Sequence, residues 1–357
     1  MTSAHQKRIL VLRYRFIGDT ILTVPFLRNL RWAEPEAYIA WMVAPGSAGV
    51  VQEIPYVDEL LFWDPVTIHA DSRGGHRTLG QKTGFIRSLR EKRFDTVYVL
   101  KRSFSSALIA YLSGARKRVG FATEGRGFLL TNKVPYRHDQ HEVLNFLEVL
   151  RADGVPVIDD YLECWLTPDE VRRGNEILAA TGVAPGEPLA MIHPYASFPP
   201  RGWHHDDYAA LSHLLVGKGF RVVVLGGDRD RVDWERGRSL FAPGTVSLVG
   251  TGSLRETMAV LGRGDIFIGN DSGIMHLAAA TGLPLVALFG PQSPVRFGPW
   301  GQRTQVISKQ FPCSPCRQKF FEECKPSPRE KPACIEAITV DDVFIAAMKL
   351  LEKQGTQ

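Results

Sequence analysis

The stretch DIFIGNDSGIMHLAAATGLPLVALFGP, residues 265–291, decides the fold class of this protein. Its two apolar runs, IFIG and PLVALF, each have the length and composition of one buried strand, and the alanine-rich run between them is typical of a helix. A strand, a helix and a second strand in this order form a βαβ unit with parallel strands. The stretch therefore predicts an α/β protein.

Both halves of the chain repeat this alternation of strands and helices. In the first half, helical stretches such as GFIRSLREKR separate four strand-like runs, which are RILVLRY, AYIAWMVAP, ELLFWD and FDTVYVLK. In the second half, strand-like runs precede residues 265–291 in PLAMIHPYA, RVVVLGGD and TVSLVG. Alternation of this kind predicts parallel sheets with helices on both faces.

We predict two doubly wound, Rossmann-like domains that face each other across a cleft. The first covers residues 1–165 and the second residues 166–338, with a Cys-rich loop at 311–335. A terminal helix is expected within 339–357, because TVDDVFIAAMKLLEKQ starts with a Thr cap and two acids. The turn-rich APGEP, which ends the segment between the halves, suits a hinge.

Composition and charge exclude several classes of protein. The chain of 357 residues is 44% hydrophobic and 23% charged, as in ordinary globular proteins, and lacks an apolar run of membrane-spanning length. Its start, MTSAHQKRILVLRYR, is too polar for a signal peptide, so we expect a cytoplasmic protein. The net charge of +5 does not indicate a nucleic-acid binder. Arginines are dense from Arg87 to Arg118, either as a solvated face or as a surface for an anionic partner at a membrane.

Polar loops follow three of the predicted strands. They are RFIGDT (15–20), HPYASFPPRGW (193–203) and GNDSG (269–273). Ligands of doubly wound sheets bind outside the carboxyl ends of the strands, where loops meet helix N-termini. The three loops are therefore the candidate binding and catalytic segments.

The GNDSG loop has the composition of a phosphate site. Gly273 keeps the backbone thin at the start of the helix, and Ser272 adds a hydroxyl donor where the helix dipole favours negative charge. Asp271 suits a ribose hydroxyl or the positioning of neighbouring amides, and His276 falls on the same helical face. The alternative is structural, with a capping Asp or Ser and a buried core His.

The other loops carry candidates for acid–base chemistry and for binding anions. Asp19 follows a glycine at the end of a strand, which suits a general base, although it could only cap the next helix. Arg201 could hold a diphosphate, or lie idle on a surface loop. Asp228 and Asp230 follow VVVLGG, where acids take ribose hydroxyls or form turns. No GxGxxG lies at either first βα turn, which argues against a nicotinamide cofactor. Pro25 should kink its predicted helix or mark a shortened first turn.

Taken together, these segments resemble the family 9 glycosyltransferases, the bacterial lipopolysaccharide heptosyltransferases. The likeness rests on four blocks, which are IGDTILTVPFLRNLR (17–31), HPYAS…RGW (193–203), LGGDRD (225–230) and GNDSGIMHLAAATGLPLVALFGPQSP (269–294). Two positions depart from the family pattern. Arg201 stands where lysine is usual before the tryptophan, and Tyr195 stands where a small residue is common.

The resemblance implies a GT-B fold, with the acceptor in the N-terminal domain and a nucleotide-sugar in the C-terminal domain. It implies inverting transfer of heptose from ADP-heptose to the anionic inner core of lipopolysaccharide, with Asp19 as the base and no cofactor required. Peripheral contact with the cytoplasmic face of the inner membrane is expected, and nucleic acid is not an expected partner. The implied donor-binding residues are Ser197, Arg201, Asp230, Asp271, Ser272, Gly273 and His276. The expected acceptor-binding residues are Arg13, Gly18, Thr20 and His141. His141 is chosen because it and Asn145 are spaced i, i+4 and could face the cleft; the equally weighted alternative is a pair on a helix surface.

Two other functions remain open from the sequence. One is the transfer of another activated sugar, a hexose or an N-acetylhexosamine, to a cell-surface glycan. The other is a non-catalytic protein that binds nucleotide-sugars, although such a protein has no need of a base at Asp19.

Four cysteines form a separate cluster in CSPCRQKFFEECKPSPREKPAC. They are Cys313, Cys316, Cys324 and Cys334. Four thiolates suit a structural zinc ion or an iron–sulfur cluster, and a cytosolic location disfavours disulfides. Ordinary unliganded thiols are the equally weighted alternative, since the spacing matches no standard zinc finger.

Overall fold

The computed structural model describes residues 6–65, 75–316, 324 and 329–352. The chain divides into two compact units, Met1–Trp165 and Leu166–Gln357. Each unit contains one six-stranded sheet, and every pair of neighbouring strands in it is parallel. The predicted α/β class with two doubly wound sheets is therefore confirmed.

The first unit has the strand order 3-2-1-4-5-6. Its strands are β1 Arg8–Leu12, β2 Tyr38–Val43, β3 Glu59–Phe62, β4 Thr96–Val99, β5 Lys117–Phe121 and β6 Asn132–Val134. Its helices are α1 Ile17–Ile21, α2 Val24–Ala33, α3 Pro45–Ala48, α4 Leu79–Glu91, α5 Phe104–Leu112 and α6 Glu142–Arg151, with 3-10 turns at Gly49–Val51 and Arg126–Leu129.

The second unit repeats the same order with its own six strands, β12-β11-β10-β7-β8-β9 across the sheet. These are β7 Leu189–His193, β8 Arg221–Gly226, β9 Val246–Val249, β10 Ile266–Asn270, β11 Leu285–Phe289 and β12 Thr304–Ser308. Its helices are α7 Pro168–Ala180, α8 His205–Val216, α9 Arg231–Gly237, α10 Leu254–Leu261, α11 Gly273–Ala280, α12 Pro294–Phe297, α13 Ala333–Glu336 and α14 Val340–Glu352, with 3-10 turns at Pro199–Arg201, Asp228–Asp230 and Arg238–Leu240.

Local chemistry explains where several helices begin. Thr167 and Glu170 form a reciprocal capping box at the start of α7, which satisfies two backbone N–H groups that the helix cannot pair itself. The predicted effect of Pro25 is confirmed, because α1 ends at Ile21 and Pro25 lies in the first turn of α2, where its missing N–H costs nothing. Three strands were not predicted, since β5 begins with Lys117 and Arg118, β6 has three residues, and β12 is only partly buried.

Strand order determines where each unit can bind a ligand. In a doubly wound sheet the crevice forms where the order reverses, outside the carboxyl ends of two neighbouring strands. In the first unit these strands are β1 and β4, and in the second they are β7 and β10. The candidate loops at 15–20, 193–203 and 269–273 follow β1, β7 and β10, so all three lie at these switch points.

No helix in the described part of the chain is long and apolar enough to cross a membrane.

Candidate functional site

A buried asparagine joins the two candidate loops of the second unit. Asn270, the last residue of β10, is fully buried, and its Oδ1 accepts hydrogen bonds from the Trp203 N–H and the Tyr208 hydroxyl, both at 3.0 Å. Its Nδ2 donates to the Pro194 carbonyl at 3.0 Å. The buried Trp203 indole donates to the Ile338 carbonyl at 2.9 Å. The loop 194–203 is thus attached at both ends to the carboxyl edge of the sheet.

Helix α11 begins at the end of this edge, as the sequence predicts. Ser272 is its N-cap, and the Ser272 hydroxyl accepts a hydrogen bond from the Met275 N–H at 3.3 Å. Gly273 is the first helical residue, and the buried His276 lies one turn further along. The capping role and the candidate binding role therefore coincide at Ser272, because the first turn of α11 opens at the switch point.

His193 was not singled out from the sequence, and it lies directly beside Ser272. It is the last residue of β7, and its Nδ1 is 3.4 Å from the Ser272 hydroxyl. Burial lowers the pKa of His193 to about 4, so its imidazole is neutral at neutral pH. A neutral ring can exchange a hydrogen bond with Ser272 without adding positive charge to the helix mouth.

Arg201 and Asp271, both predicted donor residues, form an ion pair. The Arg201 Nη1 is 3.1 Å from the Asp271 Oδ2, and both side chains are mostly buried. Asp271 therefore orients the guanidinium toward the start of α11. The remaining predicted residue of this loop, Ser197, is exposed.

Tyr195 and Asp230 lie beyond the ends of β7 and β8. The buried Tyr195 ring packs so closely on Gly226 that a Cβ there would lie 2.6 Å from the ring, so only glycine fits. The Asp230 carboxylate accepts a hydrogen bond from the Gly227 N–H at 2.7 Å, and burial raises the pKa of Asp230. Asp230 thus has a structural bond in the turn that follows β8.

In the first unit, Asp19 lies in α1 with a basic partner. The Arg13 Nη2 is 2.5 Å from the Asp19 Oδ1 and 4.0 Å from the Glu142 Oε1. Between them, Arg15 has a φ of 129°, a conformation that non-glycine residues rarely adopt. Strain of this kind costs about 1–3 kcal/mol and concentrates at functional sites. The carboxylate is held by one fixed cation at the β1 switch point.

The other predicted acceptor residues mainly have structural bonds. Thr20 is buried, and its hydroxyl donates to the Phe16 carbonyl at 3.0 Å, while Gly18 is buried inside α1. His141 is the buried N-cap of α6, where its Nδ1 accepts from the Val143 N–H at 3.2 Å. Gly18 and Thr20 thus belong to the backbone of the α1 helix that carries Asp19, whereas His141 fixes the start of α6.

Lys101 is a charged residue of this site that the sequence reasoning missed. It follows β4, next to β1, and the Leu100 N–H donates to the Leu12 carbonyl at 3.1 Å. Its Nζ lies 4.0 Å from the centre of the Tyr14 ring. Burial, together with Arg15 and Arg13, lowers the pKa of Lys101 to about 7, while the Asp19 charge opposes this shift. A lysine immediately after a buried strand was the available signal.

The cysteine cluster lies partly outside the described residues, which omit 317–323 and 325–328. Cys316 donates its N–H to the Pro291 carbonyl at 3.0 Å, and the Cys334 sulfur lies 3.2 Å from where a Cβ on Gly290 would be. Burial and then the other three thiols raise the pKa of Cys334 to about 11. Among the residues described, no group of three or more His, Cys, Asp or Glu is arranged to hold a metal ion, and all five cysteines are outside disulfides.

Comparisons with known proteins agree with this architecture. A solved glycosyl transferase family 9 structure from Veillonella parvula superimposes with a TM-score of 0.83 at 23% identity, covering 97% of this chain and 98% of that one. The E. coli ADP-heptose lps heptosyltransferase II gives 0.77 at 23% identity, covering 98% and 100%. These likenesses concern the fold and confirm the predicted GT-B class.

Sequence comparison identifies the family. Lipopolysaccharide heptosyltransferase 2 of Salmonella typhimurium is 29% identical over 316 residues, which are 84% of this chain and 87% of that protein. The model of glycosyltransferase family 9 (heptosyltransferase) matches residues 83–325, about two thirds of the chain and including both candidate loops of the second unit. The predicted resemblance is therefore confirmed: this chain belongs to glycosyltransferase family 9, the heptosyltransferase family, and is a glycosyltransferase.

Proposed function

We propose that this enzyme transfers heptose from ADP-heptose to the inner core of lipopolysaccharide, with inversion at the anomeric carbon. Family membership supports the transfer of heptose, and the names of the Salmonella and E. coli relatives support this donor and acceptor. The observation that carries the proposal is that each unit has polar groups at its switch point. These are a fixed carboxylate in the first unit and a helix mouth with an arginine in the second.

In this proposal the first unit, residues 1–165, binds the acceptor. The Asp19 carboxylate takes the proton of the acceptor hydroxyl as its oxygen attacks the anomeric carbon. Arg13 holds Asp19 in place, and Arg13, Gly18, Thr20 and His141 line the acceptor site in this proposal. Lys101 lies at the end of the neighbouring strand, with its Nζ 4.0 Å from the centre of the Tyr14 ring.

The second unit, residues 166–338, binds the donor. As the bond from the anomeric carbon to the diphosphate oxygen breaks, the leaving ADP gains negative charge. The first turn of α11 and the Arg201 guanidinium stabilise this charge without a metal ion. Asp271 orients Arg201. Ser272 and Gly273 form the start of α11, where the diphosphate binds, and His276 lies one turn further along the same helix. Ser197 and Asp230 lie on the flanking loops and contact the sugar or the ribose, while α14 belongs to the core of the same unit.

A donor panel and a base variant test the proposal together. ADP-heptose, UDP-sugars and GDP-sugars are compared by the shift in thermal unfolding, and we expect a shift mainly with ADP-heptose. Asp19→Asn should lower kcat by about 10²–10⁴-fold, because a general base contributes that much, and leave donor affinity unchanged. The matched control is Asp139→Asn, an exposed acid of the same unit paired with Arg137.

Each alternative function has its own outcome in this experiment. Preference for a UDP- or GDP-sugar indicates transfer of a different sugar. Donor binding without turnover in the wild type indicates a non-catalytic binding protein. Turnover of Asp19→Asn within about threefold of wild type removes the base assignment.

We propose that the cysteine loop binds a structural metal, either a zinc ion or an iron–sulfur cluster. Support comes from the four thiols in one loop and from Cys316 and Cys334, which both lie against residues 290–291. The metal would organise the loop and take no part in transfer. Elemental analysis of protein purified without added metal tests this, and less than about a tenth of an equivalent contradicts it.

Because a lipopolysaccharide core is anchored in a membrane, the proposal includes a cytoplasmic location with peripheral contact at the inner membrane. No nucleic acid is involved.

A further inference from the structure

Helix α5 and the neighbouring 3-10 turn expose three aromatic side chains. Phe104, Tyr111 and Phe128 are 49%, 53% and 71% exposed. The centres of the Phe104 and Phe128 rings are 6.3 Å apart, so these two rings form one exposed apolar patch. Tyr111 lies two helical turns after Phe104 and therefore on a similar face of α5. Adjacent large apolar side chains left in solvent mark a surface for a partner.

Basic side chains lie beside two of these rings. The basic residues on the surface of this region are Arg116 and Lys133, which are exposed, and the half-buried Arg118. Arg126 is buried, and the Lys117 ammonium pairs with Asp153, so neither adds to the surface charge. The Arg118 guanidinium carbon lies 5.5 Å from the centre of the Tyr111 ring. The Lys133 side chain passes Gly127, beside Phe128, and Lys133 and Arg116 are exposed. The patch therefore combines apolar rings with nearby positive charge.

We propose that this aromatic–basic surface, consisting of Phe104, Tyr111, Phe128, Arg116, Arg118 and Lys133, docks the first unit onto an anionic phospholipid membrane. Aromatic rings are stable at the level of lipid headgroups, and Lys and Arg are attracted by anionic lipids. Each contribution alone gives weak binding, and together they give reversible peripheral attachment. Exposed rings beside positive charge complement an anionic lipid surface, in which the rings lie at headgroup depth and the charges face the lipid phosphates.

The position of the surface suits a lipid-linked acceptor. Phe104 comes three residues after Lys101, at the carboxyl end of β4, which is beside the loop of Asp19. Docking at α5 therefore brings lipid close to the proposed acceptor side of the same unit. This docking surface rests on the proposed function and assigns its membrane contact to named residues. Because vesicle binding is measured without donor or acceptor, a loss of membrane binding can be told apart from a loss of heptose transfer.

Co-sedimentation with vesicles tests the proposal on the full chain. One set is pure phosphatidylcholine, and the other contains about 30 mol% phosphatidylglycerol. We expect wild type to bind the anionic set at least about tenfold more tightly, with weaker binding at high salt. The double variant Phe104→Ser/Phe128→Ser should lose binding about tenfold or more, and Arg116→Gln/Lys133→Gln should lose the preference for anionic lipid. The matched control is Ile345→Ser, a 64% exposed side chain on α14 of the other unit, which should bind like wild type.

A second measurement covers the case in which the double variant Phe104→Ser/Phe128→Ser does not fold. Phe128→Trp should show a blue-shifted emission with anionic vesicles and quenching by brominated lipid. The proposal is overturned if wild type does not bind anionic vesicles, or if a folded double variant binds them unchanged. It is also overturned if the double variant only raises KM for a soluble, deacylated acceptor, because the rings then stack on sugar.

Discussion

Replacing Asn270 with alanine tests the idea that one buried amide positions the donor loop. Asn270→Ala removes the acceptor for the Trp203 N–H and the Tyr208 hydroxyl and the donor for the Pro194 carbonyl. Asn270 and Tyr208 are completely buried, so water does not readily replace the amide. Each abandoned buried polar group costs about 1–3 kcal/mol, and three of them give about 3–6 kcal/mol after partial relaxation.

Tyr208→Phe is the matched control because it removes one of the same hydrogen bonds. Asn270 keeps the Trp203 N–H as a donor, so the loss should be only about 0.5–1.5 kcal/mol. The double variant should be about as unstable as Asn270→Ala alone, because Tyr208 has already lost its partner there. Since the loop carries Arg201, Asn270→Ala should also lower the affinity for ADP by about tenfold or more, whereas Tyr208→Phe should leave that affinity unchanged.

Urea denaturation gives the free energy of unfolding of all four proteins, and calorimetry with ADP gives the affinity. Two results refute the reasoning. One is an Asn270→Ala protein within about 1 kcal/mol of wild type. The other is an unstable Asn270→Ala protein with wild-type affinity for ADP, since the loop would then be positioned without the amide.

Three further predictions concern charged and titratable groups. Arg201→Ala should weaken donor binding by roughly 1.5–3 kcal/mol, and Arg201→Lys should recover much of the lost affinity. Calorimetry that shows wild-type donor affinity in both variants contradicts a contact between Arg201 and the diphosphate. Between pH 6.5 and about 4 an unfolded His193 binds a proton that the folded one does not, so the free energy of unfolding should fall by about 3 kcal/mol as the pH falls. His193→Gln should lack this slope, and equal slopes in both proteins refute it. A folded Lys101 releases its proton near pH 7 and an unfolded one near pH 10.5, so the free energy of unfolding of wild type, relative to Lys101→Met, should rise between these pH values. Urea titrations in which this difference stays constant contradict the assignment.

Sequence alone determined the class of the fold and the segments that carry chemistry. Apolar runs of strand length, alternating with helical stretches, require parallel sheets, and the polar residues that follow such runs must lie at the carboxyl edge. The cap at Ser272 and the first-turn position of Pro25 depend on neighbours in the chain, so they were predictable. The edge strands β6 and β12 were not, because short or half-exposed strands lack a continuous apolar run.

Only the tertiary structure decided which of these residues meet. Asp271 pairs with Arg201, 70 positions away, because β7 and β10 are neighbours in the sheet. Lys101 lies beside the loop of Asp19 for the same reason, since β4 is next to β1. Such pairings depend on the strand order 3-2-1-4-5-6, and long-range contacts of this kind leave no periodic signal in the sequence. Tertiary burial likewise sets the charge of His193 and Lys101, because desolvation acts on a side chain only after distant segments enclose it.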